Sequence, residues 1–399
     1  MKWPCSQLSF LGFLVLLASG CGGRNVTVTP TPSPSCVPSS KSEFAYALTG
    51  YTVSMYTVNS CTGAFSATSP ANIPTGYAAP QAEAEEMVAD PLGRFAYVAN
   101  LVSNASDLST ISMYAINSTT GVLSPTTPAT VPTGWFPQEI AIDPLGRFVY
   151  TANSDDSSIS MFAINQSSGV LTPTTPSSVS TVVPGNILAD PGFLTVDPSG
   201  RFLYVTESLT NGAAVLMFSI NQTTGLLTPT SPATVSSGGI PWQVVIAPSG
   251  KFAYVVNNLS GPSYSLGVSQ YTVDSTTGVL TPGTPWAVAA GNAPTAIAVD
   301  PTSRFAYVVN RQDNTVSMFT IDPNTGNLTL NATANDPSGT VATGTEPFRI
   351  VFDRSGKFVY VVNEQSPVTI YTVNSDGTLT ATGSTGTSAL SVAITNLPD

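Results

Sequence analysis

Apolar residues in this chain come in short runs separated by turn residues, and the runs recur. The motif Phe-x-Tyr appears at Phe44, Phe95, Phe148, Phe202, Phe252, Phe305 and Phe358, every 50 to 54 residues. Each unit then repeats one order of elements. The Phe-x-Tyr-Val-x-Asn strand is followed by a variable loop and a second strand such as Ile111–Asn117 or Val316–Asp322. A turn like Asn117–Gly121 leads to a short strand rich in Thr and Pro, and then to a second variable loop. The unit closes on a strand such as Glu139–Asp143 and a tight Asp-Pro-x-Gly-Arg turn. Asp-Pro opens such a turn, and Gly takes the positive φ that it needs. β-branched and aromatic residues fill the runs, and residues 44–399 show no convincing helical period, so every element is predicted to be a strand.

Four strands repeated at this period describe a propeller blade. The two ends of the repeat region complement each other. The region opens at Phe44 without the strand that should precede it, and it ends at Ser391–Thr395, a copy of that missing strand. The predicted fold is therefore all-β, a seven-bladed β-propeller of four antiparallel strands per blade. One blade is shared by the N- and C-terminal strands, which leaves no open sheet edge between the ends.

The N-terminus changes the picture of where the ring sits. Leu8–Leu17 is an apolar run too short to span a bilayer, and Ala18-Ser19-Gly20-Cys21 resembles the lipobox at which bacteria cleave and diacylate a lipoprotein. Residues 24–42 are rich in Pro, Ser and Thr and are expected to be extended. The expected organisation is a signal peptide at 1–20, a lipid-anchored tether at 21–43 with Cys21 modified, and the propeller at 44–399. This places the chain outside the cytoplasm, on the outer membrane or cell surface, touching the membrane through its lipid alone. Cys5 leaves with the signal, so Cys36 and Cys61 remain as an even pair in an oxidising compartment and are expected to form a disulfide. Such a bridge closes a loop of about 25 residues and stabilises by about 3 kcal/mol in the chain-entropy model. Alternating strand direction puts Cys61 on the same face as the Asp-Pro and Asn-x-Thr-Thr-Gly turns, here called the constant face, which is expected to point toward the membrane.

Composition narrows the chemistry. The net charge is −11, which disfavours nucleic acid as a partner, and histidine is absent, which removes the commonest general base and metal ligand. No Cys or His spacing suits a metal, the Asp155-Asp156 pair lacks the dense oxygen pattern of a calcium loop, and no cofactor is expected.

The Tyr-Val-x-Asn strands and Asp-Pro-x-Gly-Arg turns across 44–396 resemble those of YVTN-repeat propellers and of the lactonase family of seven-bladed propellers, which includes propeller-type 6-phosphogluconolactonases. In that family a Pro-Arg-His stretch before an inner strand and a Glu after a Tyr-Val-x-Asn strand help form the site. Here Glu364 fills the glutamate position and Glu207 is a weaker second match, while Phe348 and Arg349 stand where Arg and His are expected. A guanidinium stays protonated and is a poor base. The expected function is therefore binding or scaffolding by a monomer, with an envelope protein or a small molecule as the partner. The candidate binding residues lie in the variable loops: Trp135, Phe136, Glu139, Trp242, Arg311 and Glu346. The alternative that the resemblance implies is a lactone hydrolase using Glu364, Arg349 and Glu207.

Overall fold

The computed structural model describes residues 43–76, 82–102, 109–183, 189–209, 212–258, 267–334, 336–386 and 388–396. The signal, the tether, Cys21 and Cys36 lie outside them. The described residues form seven antiparallel sheets, six of four strands and one of five. In blades 2 to 7 the strands follow chain order from the channel outward, as in blade 3: Pro137–Ile142, Phe148–Asn153, Ser158–Ile164 and Leu171–Ser180. Blade 1 takes its inner strand from the other end of the chain. Ser391–Asn396 pairs antiparallel with Glu43–Thr49, in the register Phe44 to Thr395 and Tyr46 to Ala393.

Burial follows strand position. Every residue of Phe148–Asn153, Phe252–Asn257, Phe305–Asn310 and Phe358–Asn363 is buried, because both faces of these strands pack against neighbouring blades. That explains why they read as continuous apolar runs. The outer strands are mostly exposed and carry Thr, Ser and Pro, which makes poor edges for pairing with another chain. Blade 6 departs from the four-strand expectation. Its outer element is split into Leu328–Leu330 and Thr340–Ala342, both paired with Thr315–Ile321. This unit lacks the Thr/Ser-Pro-x-Thr/Ser-Pro sequence of blades 2 to 5, as blade 7 also does, and between the two pieces Thr333 and Asp336 exchange backbone hydrogen bonds.

The two most regular motifs prove to be halves of one joint. The Tyr hydroxyl of each Phe-x-Tyr donates to the carbonyl of the turn glycine in the next blade, from Tyr46 to Gly121 at 2.9 Å through to Tyr360 to Gly63 at 3.1 Å. All seven are formed, so the seam between blades 7 and 1 is joined like the others. The Phe ring lies against the same glycine. A Cβ on Gly225 would sit 2.4 Å from Cδ1 of Phe148, and Gly225 has φ +74°, so the turn needs glycine for both reasons. The Asp-Pro turns support this joint from beneath. Asp143 accepts from the Phe148 amide at 3.1 Å and from Arg147 Nε at 2.9 Å, and the guanidinium lies 5.2 Å from the Phe148 ring centroid.

Candidate functional site

In blades 2 to 7 each inner strand runs from the variable face to an Asp-Pro turn or its equivalent, and most carry a bulge near their start. In blades 3, 5, 6 and 7 the register shifts between the strand's first proline and the residue two places on: Glu139, Gln243, Ala296 and Arg349. Blade 2 has the same shift just before Glu86. A bulge re-aims the side chain that follows it. The residue in question lies four places before the Asp of the turn or its equivalent. The same count picks out Phe193 in blade 4 and Ser391 in blade 1.

Five of these seven positions meet across the central channel. Arg349 of blade 7 forms an ion pair with Glu86 of blade 2 at 2.6 Å, and its Nη1 donates to Glu139 of blade 3 at 3.2 Å. The guanidinium lies 4.8 Å from the centroid of the Phe193 ring in blade 4. The Ser391 hydroxyl of blade 1 hydrogen-bonds Glu86, which also accepts from the Met87 amide at 3.1 Å. Trp242 extends the aromatic surface, its ring 6.1 Å from that of Phe193. Contacts between blades that are not neighbours can form only over the channel, at the end nearer the variable face.

The electrostatics of this cluster follow from one cation among several carboxylates. Burial pushes the Glu139 carboxyl up to about 8, with Arg349 pulling the other way and Glu86 adding to the rise. Glu85 is also raised, first by burial and then by Glu83. Burial works against the Arg349 charge, but Glu86 and Glu139 outweigh it and hold the guanidinium protonated. The mouth thus holds a charged arginine beside a Glu139 carboxyl that keeps its proton more tightly than an exposed one. Such a carboxyl can donate or take up a proton, and the aromatic pair can lie against an apolar or cationic surface.

The other candidate residues fall into separate places. Glu364 does not meet Arg349. It pairs with Arg311, which also holds Glu346 at 3.0 Å, on the rim between blades 6 and 7. Arg311 and Glu346 border a cleft of about 500 Å³ lined also by Asn258, Ala293, Gln312, Asn314 and Thr345. Glu207 is fully buried in blade 4, where the other blades from 2 to 7 place Asn. In blade 3 that Asn donates to the hydroxyl of Ser160 at 2.9 Å, but Glu207 lies opposite Ala214, and Leu216 stands at the place of that serine. Burial pushes its carboxyl up to about 8. Trp135 and Phe136 lie in the loop before the blade 3 inner strand. The Trp135 amide donates to Asp156 at 2.6 Å, and Phe136 adopts φ +55° ahead of Pro137. Glu43 starts the second strand of blade 1, and burial and then Asp353 push it up to about 7. Cys61 is disulfide-bonded, and Cys36, its expected partner, lies outside the described residues.

The structure thus brings Glu139 to Arg349, and Arg311 to Glu346 and Glu364. Phe193 and Ser391 were not singled out from sequence, although counting back from the turn finds both.

With that geometry in place, the fold defines a seven-bladed propeller with a closed seam and an ionic cluster in its channel. The sequence matches the family described as "Lactonase, 7-bladed beta-propeller" over residues 12–188 and 189–394, and the chain belongs to that family. No curated protein is similar enough in sequence to count as a relative. Among solved structures, a candidate 6-phosphogluconolactonase from Bacteroides fragilis is similar with a TM-score of 0.68 at 20% identity, covering 91% of this chain and 99% of that one. A periplasmic gluconolactonase from Pseudomonas aeruginosa is similar with a TM-score of 0.65 at 18% identity, covering 90% and 99%. At these identities the likeness is one of fold.

Proposed function

We propose that the chain is a binding propeller of the cell envelope, tethered through lipid at Cys21, and that its working surface is the variable face around the Arg349 mouth. One observation carries this reading. At the position where the family resemblance expects histidine, Arg349 has both terminal nitrogens committed, one to Glu86 and one to Glu139. A guanidinium held this way cannot act as a base and is not free to clamp an anionic substrate. What stays accessible beside it is aromatic and acidic, a surface suited to recognition.

Lactone hydrolysis is the second reading, and Glu139 is what favours it. As a carboxylate it would take a proton from water while the hydroxide attacks the lactone carbonyl. The ring C–O bond then breaks, and the leaving alkoxide takes the proton back. The described functions of the two structural neighbours point the same way. A panel of sugar and alkyl lactones separates the readings, assayed with wild type, Glu139→Gln and Glu364→Gln. The binding reading expects hydrolysis at the spontaneous rate from all three proteins. Turnover by wild type that rises through pH 8 and disappears in Glu139→Gln would establish the hydrolase instead.

A further inference from the structure

The charge of this protein is divided unevenly between its two faces. Toward the variable face lie only two of the described cations, Arg311 and Arg349, and each is already bound by two glutamates. Every other described Lys or Arg belongs to an Asp-Pro turn or its equivalent on the constant face, where Arg94, Arg147 and Arg304 pair with the aspartates of their own turns. The variable face, by contrast, carries Glu83, Asp155, Asp156, Asp190 and Asp313, none of which makes an ion pair with another described residue. Most of the net charge of −11 therefore sits on one side of the ring.

The same side carries the exposed aromatic surface. Trp135, Trp242 and Trp286 are the only described tryptophans. All three lie at the variable end of their blades, 37%, 36% and 38% exposed, and Ile240, two residues before Trp242, is 56% exposed. Exposed tryptophan amid unpaired carboxylates is a costly surface to leave to water, and tryptophan is the residue most enriched among binding hot spots.

Resting on the binding reading above, we infer that the variable face docks a protein partner through a Lys/Arg-rich segment that also presents apolar side chains. The cationic groups of such a segment meet Glu83, Glu85, Asp155 and Asp190, while Trp135 and Trp242 take its apolar residues or stack on a guanidinium. The same charges disfavour anionic lipid and nucleic acid on this face.

The test uses the mature protein and two labelled peptides of about a dozen residues. One alternates Arg and Lys with Leu; in the other Glu replaces each cation. Fluorescence anisotropy is read at low salt and again above about 0.3 M, where the Debye length is shorter than the spacing of these charges. The basic peptide is expected to bind, to lose at least tenfold in affinity at high salt, and to lose about tenfold in Trp135→Ala/Trp242→Ala. Glu83→Gln/Asp155→Asn should weaken binding and flatten the salt dependence, and Leu145→Ala on the constant face should leave it unchanged. No binding of the basic peptide, equal binding of the acidic one, or equal loss in Leu145→Ala and the tryptophan variant would overturn the inference. Lactone turnover by the wild type would instead strike at the binding reading, so the two failures are distinguishable.

Discussion

Replacing Gly225 with alanine tests the joint between blades, because two separable costs fall on one atom. The first is the backbone. Gly225 has φ +74°, and an L-residue there costs about 1–2 kcal/mol. The second is steric. The new Cβ would lie 2.4 Å from Phe148 Cδ1, and the ring cannot retreat because Phe148 is almost fully buried. Overpacking of this kind adds about 1–3 kcal/mol. The expected loss is therefore about 2–5 kcal/mol for Gly225→Ala. Two other glycines serve as controls. Gly250 has φ +68° with nothing within 4 Å of its would-be Cβ, so Gly250→Ala should show the backbone cost alone. Gly383 has neither feature, so Gly383→Ala should be near neutral or slightly stabilising. Urea denaturation followed by tryptophan fluorescence reads the three midpoints, with the slopes checked for equality. If Gly225→Ala and Gly250→Ala lose the same stability, contact with Phe148 contributes nothing and the account of the joint is wrong.

Removing the Tyr150 hydroxyl as Tyr150→Phe leaves the Gly225 carbonyl without its 2.9 Å donor and should cost about 1–3 kcal/mol by the same assay; no change would show the bond to be idle. Arg349→Leu leaves Glu86 and Glu139 buried without their cation and should cost about 3–5 kcal/mol at pH 8, with part of the loss recovered when Glu86→Gln is added; additive losses would contradict the ion pair. Glu43 and Glu207 have folded-state pKa values raised to about 7 and about 8, so the folded state favours their protonated forms. Their contribution is fully present below about 4.5, the unfolded value, and is lost as pH rises through 7 to 8, so the melting temperature should fall between pH 5 and pH 9. Glu207→Gln should flatten that fall, and an unchanged slope would count against burial as its cause. Deleting residues from Ser391 onward strips blade 1 of its inner strand and should produce aggregates absent from the wild type on size-exclusion chromatography; an elution profile unchanged from wild type would contradict the role of the seam.

The architecture was legible in sequence because the joints are made of local motifs. Phe-x-Tyr and the turn glycine recur at fixed spacing, and the unmatched strands at Phe44 and Ser391 reveal the shared blade without any knowledge of distant contacts. The split outer strand of blade 6 was not legible, because blade 7 lacks the same Pro pattern and keeps a single outer strand. The channel cluster was legible in position but not in pairing. Counting back from the Asp-Pro turns places Glu86, Glu139 and Arg349 at one level of the ring, yet which of them touch depends on how far each side chain reaches over the opening. Phe193 was obscured by the Pro191-Gly192 irregularity in its strand. The family pattern drew Glu364 toward Arg349, whereas Arg311, three residues past Val308 on the neighbouring blade, reaches Glu364 first. That preference is a matter of loop geometry, which no spacing rule supplies.

Because each repeat offers a Phe-x-Tyr to one neighbour and a glycine turn to the other, every blade is a plug on one side and a socket on the other, all of one pattern. The coupling that holds the circle lies in its inner layers and on the constant face, remote from the variable loops. Loop sequences on the opposite face are thereby free to lengthen, change charge or acquire tryptophan without disturbing how blades fit together. A ring assembled this way can alter what it recognises one blade at a time, and the acidic, aromatic character of blades 2 to 5 beside the paired rim charges of blades 6 and 7 is the kind of unevenness such independence permits.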